Sequence, residues 1–381
     1  MKKTFIAIIA AILFFVPAAT ILAPRGSVSK FENRALAAAP VLTRESFFDG
    51  KFFASCDEYY KDHVFMRDGF LAANAFSDMY ILRRPVVNGI TSAGEFLFPY
   101  STYVEPLDKI PARAEQAADD VSRLNDAVSE YGGKFLYVGI PNQQSLFHEK
   151  YREYLDIKQE VCEETAKSFF DALEKRGISH INMGDIFSKC DLPSEDFYMK
   201  SDHHYNLRGA YETYRTICGF CGVLPVDSDF SELPNPFYGS RGRQLYNLSP
   251  ISDRLMIPKN CPDIPHTRAD NGNIVQTPAV VLPKDESEAV AYTNYMGGDV
   301  AETVIKTSRP ELPSILLYGD SFTNGAEVFL YRSFDETRSL DLRHYSEMGI
   351  IEYVKKYRPD FVVCIRDDLQ YLTRDGNGNI K

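Results

Sequence analysis

The sequence predicts a three-layer α/β/α sandwich built on a mostly parallel sheet. Three runs of consecutive apolar residues, 134–140, 315–318 and 361–365, have the length of single strands. An unbroken apolar run of this length suits a strand that is buried on both faces, as in a parallel sheet covered by helices. Longer amphipathic segments separate these runs, and such alternation of strand and helix is typical of α/β folds. With 381 residues, 44% of them apolar, the chain can form one large core or two ordinary ones.

The segment before the sheet is predicted to be helical and then to form a hairpin. Aromatic residues recur at helical spacing over residues 46–84, which indicates amphipathic helices, and we interpret these aromatic side chains as core. A hairpin is expected at 86–98, with Asn88-Gly89 as its turn signal. The aromatic residues are Phe47, Phe48, Phe52, Phe53, Tyr59, Tyr60, Phe65 and Phe70.

The sheet is predicted to form from strands and helices that alternate along the rest of the chain. A long helix is expected at about 107–131, and Gly132-Gly133 ends it. The further predicted strands are 134–140, 178–182, 315–318, 339–342 and 361–365, and the further helices are 159–176, 206–218 and 346–357.

One segment, residues 225–312, breaks this alternation. It is rich in proline, asparagine, aspartate and serine and has few periodic stretches, so we expect an irregular insertion that forms a lid or a substrate wall. The predicted organisation is a targeting segment at 1–24, a linker and helical segment at 25–84, and an α/β domain at 85–381.

The N-terminus has the pattern of a targeting segment. Lys2 and Lys3 precede an apolar run that reaches Ala23 and is about long enough to cross a bilayer. A cleaved signal peptide and an uncleaved anchor are both compatible with this pattern. Pro24 is poorly suited to follow a cleavage site after Ala23, which favours the anchor. In either case the remainder of the chain is expected to be extracytoplasmic, membrane-anchored or secreted, with the lysines in the cytoplasm.

Charge and cysteine content limit the function further. The formal net charge is -11, from 53 acidic and 42 basic residues, and no long basic run offers a nucleic-acid site. The seven cysteines are odd in number and scattered, which is not the pattern of a disulfide framework. Cys218 and Cys221 form a C-G-F-C motif for which redox and zinc roles are conceivable, but ordinary buried or locally paired cysteines are expected.

A serine at the end of a predicted buried strand is the first candidate for chemistry. Ser321 follows Gly319-Asp320, directly after the run 315–318. Ligands of open α/β sheets bind at the carboxyl ends of the strands. A serine there becomes nucleophilic when a base takes its proton, and backbone N–H groups near it could hold an oxyanion. Gly-Asp-Ser is also a common turn, so this motif alone does not establish catalysis.

The matching acid and base come from a second motif, Ser201-Asp202-His203-His204-Tyr205. Positions i and i+2 of an extended segment point to the same side, so the Asp202 carboxylate can hold one ring nitrogen of His204 while the other nitrogen faces a serine. Two alternatives remain open. The motif could be a solvated loop, or it could bind a metal, as Asp-His-His does in metal-dependent phosphoesterases. Those enzymes need further aspartate clusters on earlier strands, whereas this sequence offers Asp119-Asp120 on a polar helix face and Asp185 and Asp191 singly, so we expect no metal.

These motifs together resemble the DHHW proteins, which are relatives of the alginate O-acetyltransferase proteins AlgJ and AlgX in the SGNH hydrolase superfamily. Asp202-His203-His204 matches the motif that names the family, with Tyr205 where the family usually has tryptophan. Further landmarks of the family, which together cover nearly all of the chain, are Glu32-Asn33-Arg34, Pro40, Tyr60-Lys61-Asp62-His63, Arg67, Ile140-Pro141, Phe237-Tyr238-Gly239-Ser240, Tyr295-Met296-Gly297-Gly298, Gly319-Asp320-Ser321 and Asp341-Leu342-Arg343-His344-Tyr345.

The resemblance implies a flavodoxin-like sheet and a triad in which Asp202 orients, His204 is the base and Ser321 is the nucleophile. His203 is then structural. The resemblance also suggests oxyanion or substrate residues at the family landmarks, with Asn142-Gln143-Gln144 standing where relatives often carry a basic residue. These candidates are Gly297, Gly298, Tyr295, Asn142, Arg343 and Tyr345.

Three functions are compatible with these features. The first is an O-acetyltransferase that acts on a cell-envelope or secreted polysaccharide through an acyl-enzyme, without a cofactor and with a membrane-bound O-acyltransferase as the partner that donates acyl groups. The second is a carbohydrate acetyl esterase with the same triad, and the third is a non-catalytic component of a polysaccharide export machinery. Both enzyme hypotheses require the Ser321 hydroxyl to lie within hydrogen-bond reach of the His204 ring.

Overall fold

The computed structural model of the chain describes residues 2–22, 26–29, 31–32, 34–100 and 105–381. The predicted Ala23–Pro24 junction and Asn33 of the family landmark lie outside these residues. The chain divides into two compact units, one of residues 1–91 with 240–250 and one of residues 92–239 with 251–381.

The α-helices, in chain order, are α1 (Lys2–Leu22), α2 (Arg44–Phe48), α3 (Lys51–His63), α4 (Arg67–Phe76), α5 (Ile110–Ser129), α6 (Gln143–Leu146), α7 (Gln159–Lys175), α8 (Met183–Phe187), α9 (Leu207–Cys221), α10 (Ser240–Gln244), α11 (Phe322–Leu330) and α12 (Ile350–Tyr357). A π-helical turn, Ser77–Ile81, continues α4. Among the described residues, none of the helices combines the length and the apolar character needed to cross a membrane.

The strands are β1 (Val28–Ser29), β2 (Arg34–Ala35), β3 (Ile90–Ala93), β4 (Phe96–Pro99), β5 (Lys134–Ile140), β6 (His180–Asn182), β7 (Asp229–Glu232), β8 (Met256–Lys259), β9 (Thr267–Asp270), β10 (Asn273–Val275), β11 (Glu302–Lys306), β12 (Ile315–Gly319), β13 (Glu336–Leu340) and β14 (Phe361–Asp367).

In the first unit, the helices form as predicted but their aromatic residues are not core. Neither α2 nor α3 contains a buried residue, and the Phe48 side chain is 78% exposed. The rings contact one another instead, as Phe47 does with Phe48 and Phe53 at centroid distances of 5.4 and 5.3 Å. The interpretation of these aromatics as core is therefore wrong, because a helix face becomes core only when another layer of the fold covers it.

The second unit contains the predicted sandwich. Its central sheet has eight strands in the order β10-β9-β11-β13-β12-β14-β5-β6. The five strands from β13 to β6 are parallel, and β11, β9 and β10 extend the sheet as antiparallel strands. The mostly parallel α/β fold predicted from the sequence is thus confirmed.

Helices cover both faces of the parallel strands. Alternate residues of β12 point to opposite faces, so that Ile315 and Leu317 join one buried cluster while Leu316 and Tyr318 join the other. The first cluster includes residues of α8, α9 and α11, and the second includes residues of α5, α7 and α12. This double burial explains why the strands are unbroken apolar runs in the sequence.

The predicted insertion at 225–312 is less irregular than expected. Strands β9, β10 and β11 lie within it and form one edge of the central sheet. These strands are short and mix polar with apolar residues at mostly exposed or half-buried positions, so they lack the apolar run that marked the central strands. The rest of the insertion consists of loops, the β7–β8 pair and short helices.

Candidate active site

The carboxyl ends of β12 and β14 lie side by side and position the serine motif. Gly319 pairs with Ile365 of the neighbouring strand, and Ser321 comes two residues later, directly before the first residue of α11. The Ser321 side chain makes no capping hydrogen bond to α11. Its hydroxyl is therefore available to a partner outside the helix.

The turn before Ser321 is held by the Asp320 carboxylate. One carboxylate oxygen accepts the Phe322 N–H at 3.0 Å, and the other accepts the Asp367 N–H at 3.1 Å. Desolvation raises the pKa of Asp320, and the nearby Arg366 guanidinium opposes this effect. Asp320 thus ties the serine turn to the end of β14.

Asp202 and His204 meet Ser321 across the sheet edge. The Asp202 Oδ1 atom lies 2.6 Å from His204 Nδ1, and His204 Nε2 lies 2.7 Å from Ser321 Oγ. Asp202 and His204 are only 2% and 4% exposed. A buried carboxylate that accepts from Nδ1–H leaves Nε2 as the proton acceptor, which is the arrangement general-base activation of a serine requires.

The loop that carries Asp202 is anchored by a residue from the insertion. Asp253 accepts hydrogen bonds from the backbone N–H groups of Lys200 and Ser201, at 2.6 and 2.7 Å, and from the Ser201 hydroxyl. Burial raises the pKa of the Asp253 carboxyl, and these donors oppose the shift. Gly239 packs against the same loop, since a Cβ there would lie 2.3 Å from the Ser201 carbonyl oxygen.

Tyr205, at the position where DHHW proteins usually have tryptophan, packs against the start of α11. Its ring is fully buried and meets the Phe322 ring edge-on at 5.0 Å, and its hydroxyl donates to the Phe322 carbonyl oxygen. The tyrosine therefore links the acid/base loop to the first residue of α11.

Aromatic rings enclose the His204 imidazole. Tyr292 stacks on it with a centroid distance of 3.7 Å and an angle of 2° between the ring planes. The rings of His203 and Phe322 also contact the imidazole, at 3.7 and 4.9 Å. The His203 side chain remains 43% exposed.

Asn142, an oxyanion or substrate candidate, follows β5 and caps α6. Its side-chain oxygen accepts the N–H groups of Gln144 and Ser145, and its side-chain nitrogen donates to Asp368. These bonds occupy its polar atoms within its own loop. A role of Asn142 at the reacting centre stays a prediction.

Tyr295, Gly297 and Gly298 form a tight turn in the insertion. The Gly298 N–H donates to the Tyr295 carbonyl oxygen at 3.1 Å, and the buried Tyr295 hydroxyl donates to the Met256 carbonyl oxygen at 2.7 Å. Both glycines have positive φ angles, 81° and 97°, which explains their place in this motif. In this conformation the Gly298 N–H is engaged inside the turn, and its oxyanion role remains untested.

Arg343 and Tyr345, the last two candidates, follow β13. The Arg343 guanidinium binds Asp341 through two nitrogens and reaches Asp299 at 3.0 Å. Tyr345 packs against Tyr353 of α12, at a centroid distance of 5.8 Å. Arg343 is thus held in an ion-pair cluster and Tyr345 lies against the helical layer, while their predicted contact with a substrate stays untested.

Metal ligation was the alternative interpretation of the Asp-His-His motif. In the described part of the chain, Asp202, His203 and His204 can bring three ligand atoms within 4.8 Å of one another. However, both ring nitrogens of His204 are already engaged, by Asp202 and by Ser321. The geometry therefore favours a proton relay over a ligand set.

The C-G-F-C motif lies at the end of α9, the helix that follows the acid/base motif. Cys218 and Cys221 are both free thiols. Burial raises the pKa of the Cys218 thiol to about 12 and raises that of Cys221 as well. Because the thiolate is the reactive species, this environment favours the expected structural role.

Two residues that shape the site were not among the sequence candidates. Tyr292 covers His204, and Asp253 anchors the loop of Asp202. Both lie in the insertion, where no periodic pattern or motif marked them. The one available signal was the position of Tyr292, three residues before the landmark that begins at Tyr295.

Comparison with known proteins supports the fold. The family model described as the SGNH hydrolase-like domain of the acetyltransferase AlgX matches residues 93–224. This segment includes Asp202 and His204 and ends before Ser321. No curated protein sequence matches the chain.

Solved structures are similar over most of the chain. PatB1 from Bacillus cereus has a TM-score of 0.61 and 21% identity, covering 74% of this chain and 96% of PatB1. A structure of PatB1 with a sulfonyl adduct has a TM-score of 0.59 and 20% identity, covering 74% and 97%. A DHHW family protein from Eubacterium siraeum has a TM-score of 0.58 and 16% identity, covering 77% and 95%.

At these identities the structures are evidence for the fold, and the family model adds the resemblance in sequence. The prediction from the Asp-His-His and Gly-Asp-Ser motifs is confirmed at this level. The chain carries an SGNH hydrolase-like domain similar to that of the acetyltransferase AlgX, and it shares its fold with DHHW and PatB1 proteins.

Proposed function

We propose that this protein is an extracytoplasmic, serine-dependent O-acetyltransferase that modifies a cell-envelope or secreted polysaccharide through an acyl-enzyme. The observation that carries the proposal is the buried chain of hydrogen bonds from Asp202 through His204 to Ser321, at 2.6 and 2.7 Å. Those distances lie within the range expected of a nucleophile and its general base.

The first half-reaction loads the enzyme. His204 Nε2 takes the hydroxyl proton of Ser321 as its Oγ attacks the acetyl carbonyl of a donor ester. Asp202 holds Nδ1–H and stabilises the imidazolium. When the tetrahedral intermediate collapses, the bond to the donor oxygen breaks and His204 returns the proton to that oxygen. The product is an acetyl ester on Ser321 and the free donor alcohol.

The second half-reaction passes the acetyl group to the polysaccharide. A sugar hydroxyl takes the place of the donor, His204 removes its proton, and the sugar oxygen attacks the acetyl carbonyl. Collapse breaks the bond to Ser321, which regains its proton from His204. The oxyanion of each step would be held by the Ser321 N–H, with support from the positive end of α11, a helix of nine residues.

Location and partner belong to the same proposal. The apolar segment headed by Lys2 and Lys3 supports export, with anchoring at the membrane as the favoured form. Free acyl-coenzyme donors are not expected outside the membrane, so a membrane-bound O-acyltransferase is the proposed source of acetyl groups. For the reaction itself, the family model named for the acetyltransferase AlgX supports acetyl transfer over hydrolysis by an unrelated enzyme.

The test uses the purified protein with a chromogenic acetyl ester, with and without an oligosaccharide acceptor. Mass spectrometry should find acetylated oligosaccharide with the wild-type protein and none with Ser321→Ala. Ser287→Ala, which changes an exposed serine of the insertion, is the matched control and should keep activity. Acetylated product from Ser321→Ala would refute the mechanism.

The same assay distinguishes the esterase alternative. A hydrolase would release acetate at a rate that does not respond to the oligosaccharide, because water is then the only acceptor. A transferase should release less acetate as the oligosaccharide concentration rises, since the sugar hydroxyl competes with water for the acyl-enzyme. Absence of both products from the wild-type protein would favour the non-catalytic component.

A further inference from the structure

The strongest unassigned feature near the triad is the ring of Tyr292. It lies 3.7 Å from the His204 ring, with the two planes only 2° apart, so the aromatic face covers the imidazole. Tyr292 is 3% exposed. Burial raises the pKa of its phenol well above the ordinary value, so the ring stays neutral at physiological pH.

The backbone around Tyr292 is held firmly. The preceding Ala291 N–H donates to the Asn294 side chain at 2.9 Å, and the Asn294 amide donates in turn to the Val281 carbonyl oxygen at 2.7 Å. Tyr295 meets the Tyr292 ring edge-on at 5.1 Å. The ring is thus fixed from the insertion side, independently of His204.

Helix α11, which begins directly after Ser321, also leaves space for this ring. A Cβ at Gly325 of α11 would lie 2.8 Å from the Tyr292 hydroxyl oxygen. The helix that begins after Ser321 therefore admits Tyr292 only because residue 325 is glycine. Ser321, His204 and Tyr292 form one packed assembly.

We propose that Tyr292 is a positioning residue, which holds the plane of the His204 imidazole so that Nε2 faces Ser321 and which stabilises the imidazolium with its aromatic face. Two physical effects contribute. The hydrogen bond to Asp202 fixes Nδ1 but allows the ring to tilt, and a parallel ring stacked on it at van der Waals distance prevents that tilt. The electron-rich face of tyrosine also attracts a cation above it, most strongly in a desolvated site.

This inference rests on the proposed function for its reaction, but its test does not need sugar transfer. An aryl sulfonyl fluoride reports directly on the Ser321–His204 pair. The Ser321 oxygen forms a bond to sulfur, the sulfur–fluorine bond breaks and fluoride leaves, while the hydroxyl proton passes to His204. Mass spectrometry measures the rate at which the full-length protein gains the sulfonyl group.

The informative variants are Tyr292→Leu, which removes the aromatic face, and Tyr292→Phe, which keeps it. We expect Tyr292→Leu to slow sulfonylation roughly 10- to 30-fold and to lower kcat for an acetyl ester by a similar factor, with little change in KM. Tyr292→Phe should stay within about threefold of wild type. Tyr238→Leu, at a half-exposed tyrosine of the insertion, is the matched control and should not change either rate.

Three results would overturn the proposal: wild-type rates for Tyr292→Leu, an equal loss in Tyr292→Phe, or a change confined to KM. The last would identify a wall that only binds substrate. If Tyr292→Leu loses its thermal unfolding transition, Tyr292→Met fills the same space with a flexible apolar chain and is held to the same criteria. If the wild-type protein is sulfonylated normally but acetylates no sugar, the transferase proposal is refuted. The ratio of the sulfonylation rates of wild type and Tyr292→Leu then still decides the role of Tyr292.

Discussion

Gly319 offers a sharp test of how the fold positions Ser321, the proposed nucleophile. It is the last residue of β12, two residues before Ser321. A Cβ built on Gly319 lies 1.9 Å from the carbonyl oxygen of Ile365 on β14. Real Cβ atoms do not approach backbone oxygens closer than about 3.0 Å. Because the obstacle is backbone and not the end of a flexible side chain, Gly319→Ala must push β12 and β14 apart by about 1 Å.

The consequences follow from that displacement. Forcing an extra methyl group into a packed core costs about 1–3 kcal/mol, which corresponds to a fall in Tm of about 2–4 °C per kcal/mol for a domain of this size. The hydrogen bond between His204 Nε2 and Ser321 Oγ, 2.7 Å long, would lengthen beyond hydrogen-bonding distance if Ser321 moves with its strand. A misplacement of this size reduces the rate about 100-fold.

The assay combines thermal unfolding with the rate at which an aryl sulfonyl fluoride labels Ser321. Gly219→Ala is the matched control, since Gly219 lies on an exposed position of α9 and has no atom within 4 Å of its built Cβ. That substitution should raise stability by up to about 1 kcal/mol and leave labelling unchanged. Wild-type labelling and an unchanged Tm in Gly319→Ala would refute the reasoning.

Three further predictions concern carboxylates. Asp202→Asn should lower kcat for an acetyl ester about 10,000-fold at nearly unchanged Tm, because the amide no longer fixes the His204 tautomer; a loss below tenfold would argue against the triad. Asp253→Ala should destabilise the protein by roughly 3 kcal/mol in urea unfolding and slow labelling of Ser321, because the N–H groups of the Asp202 loop lose their acceptor. If labelling is unchanged, Asp253 stabilises the loop without affecting the reactivity of Ser321. Burial raises the pKa of the Glu327 carboxyl above its value in the unfolded chain, and the hydrogen bond from Ser339 opposes this shift. The contribution of this carboxyl to folding stability is therefore complete below about pH 4.3 and is lost as pH rises through the native pKa. Glu327→Gln should therefore be more stable than wild type at pH 8, by about 1.4 kcal/mol per unit of pKa shift, with the difference shrinking towards pH 4; a constant difference between the two pH values would contradict this assignment.

Much of the sheet was predictable because its strands are buried on both faces. The run at 134–140 coincides with β5, and the runs at 315–318 and 361–365 lie within β12 and β14. Strands β9, β10 and β11 were missed. They are short strands of mixed polar and apolar residues at one side of the sheet. They form by pairing with β13 and with each other, and no local sequence pattern indicates this pairing.

The aromatic residues of α2, α3 and α4 show that a sequence pattern can predict a helix without predicting its burial. Their helical spacing correctly predicted helices, but the same spacing was mistaken for burial. The rings of Phe47, Phe48 and Phe53 remain exposed in their unit, because periodicity records which residues share a face and not whether another layer covers that face.

By itself the sequence determined the class of fold and the residues that are candidates for chemistry. Apolar runs specified a parallel sheet, and two short motifs offered a candidate acid, base and nucleophile at loops or strand ends of that sheet. Whether those motifs meet, and what surrounds them, was decided by tertiary structure alone. The 2.7 Å contact of His204 with Ser321, the anchor from Asp253 and the ring of Tyr292 join segments that are distant in the chain. Such contacts depend on the packing of the whole sheet edge. Local sequence patterns could therefore indicate the candidate reacting groups but not the residues that position them.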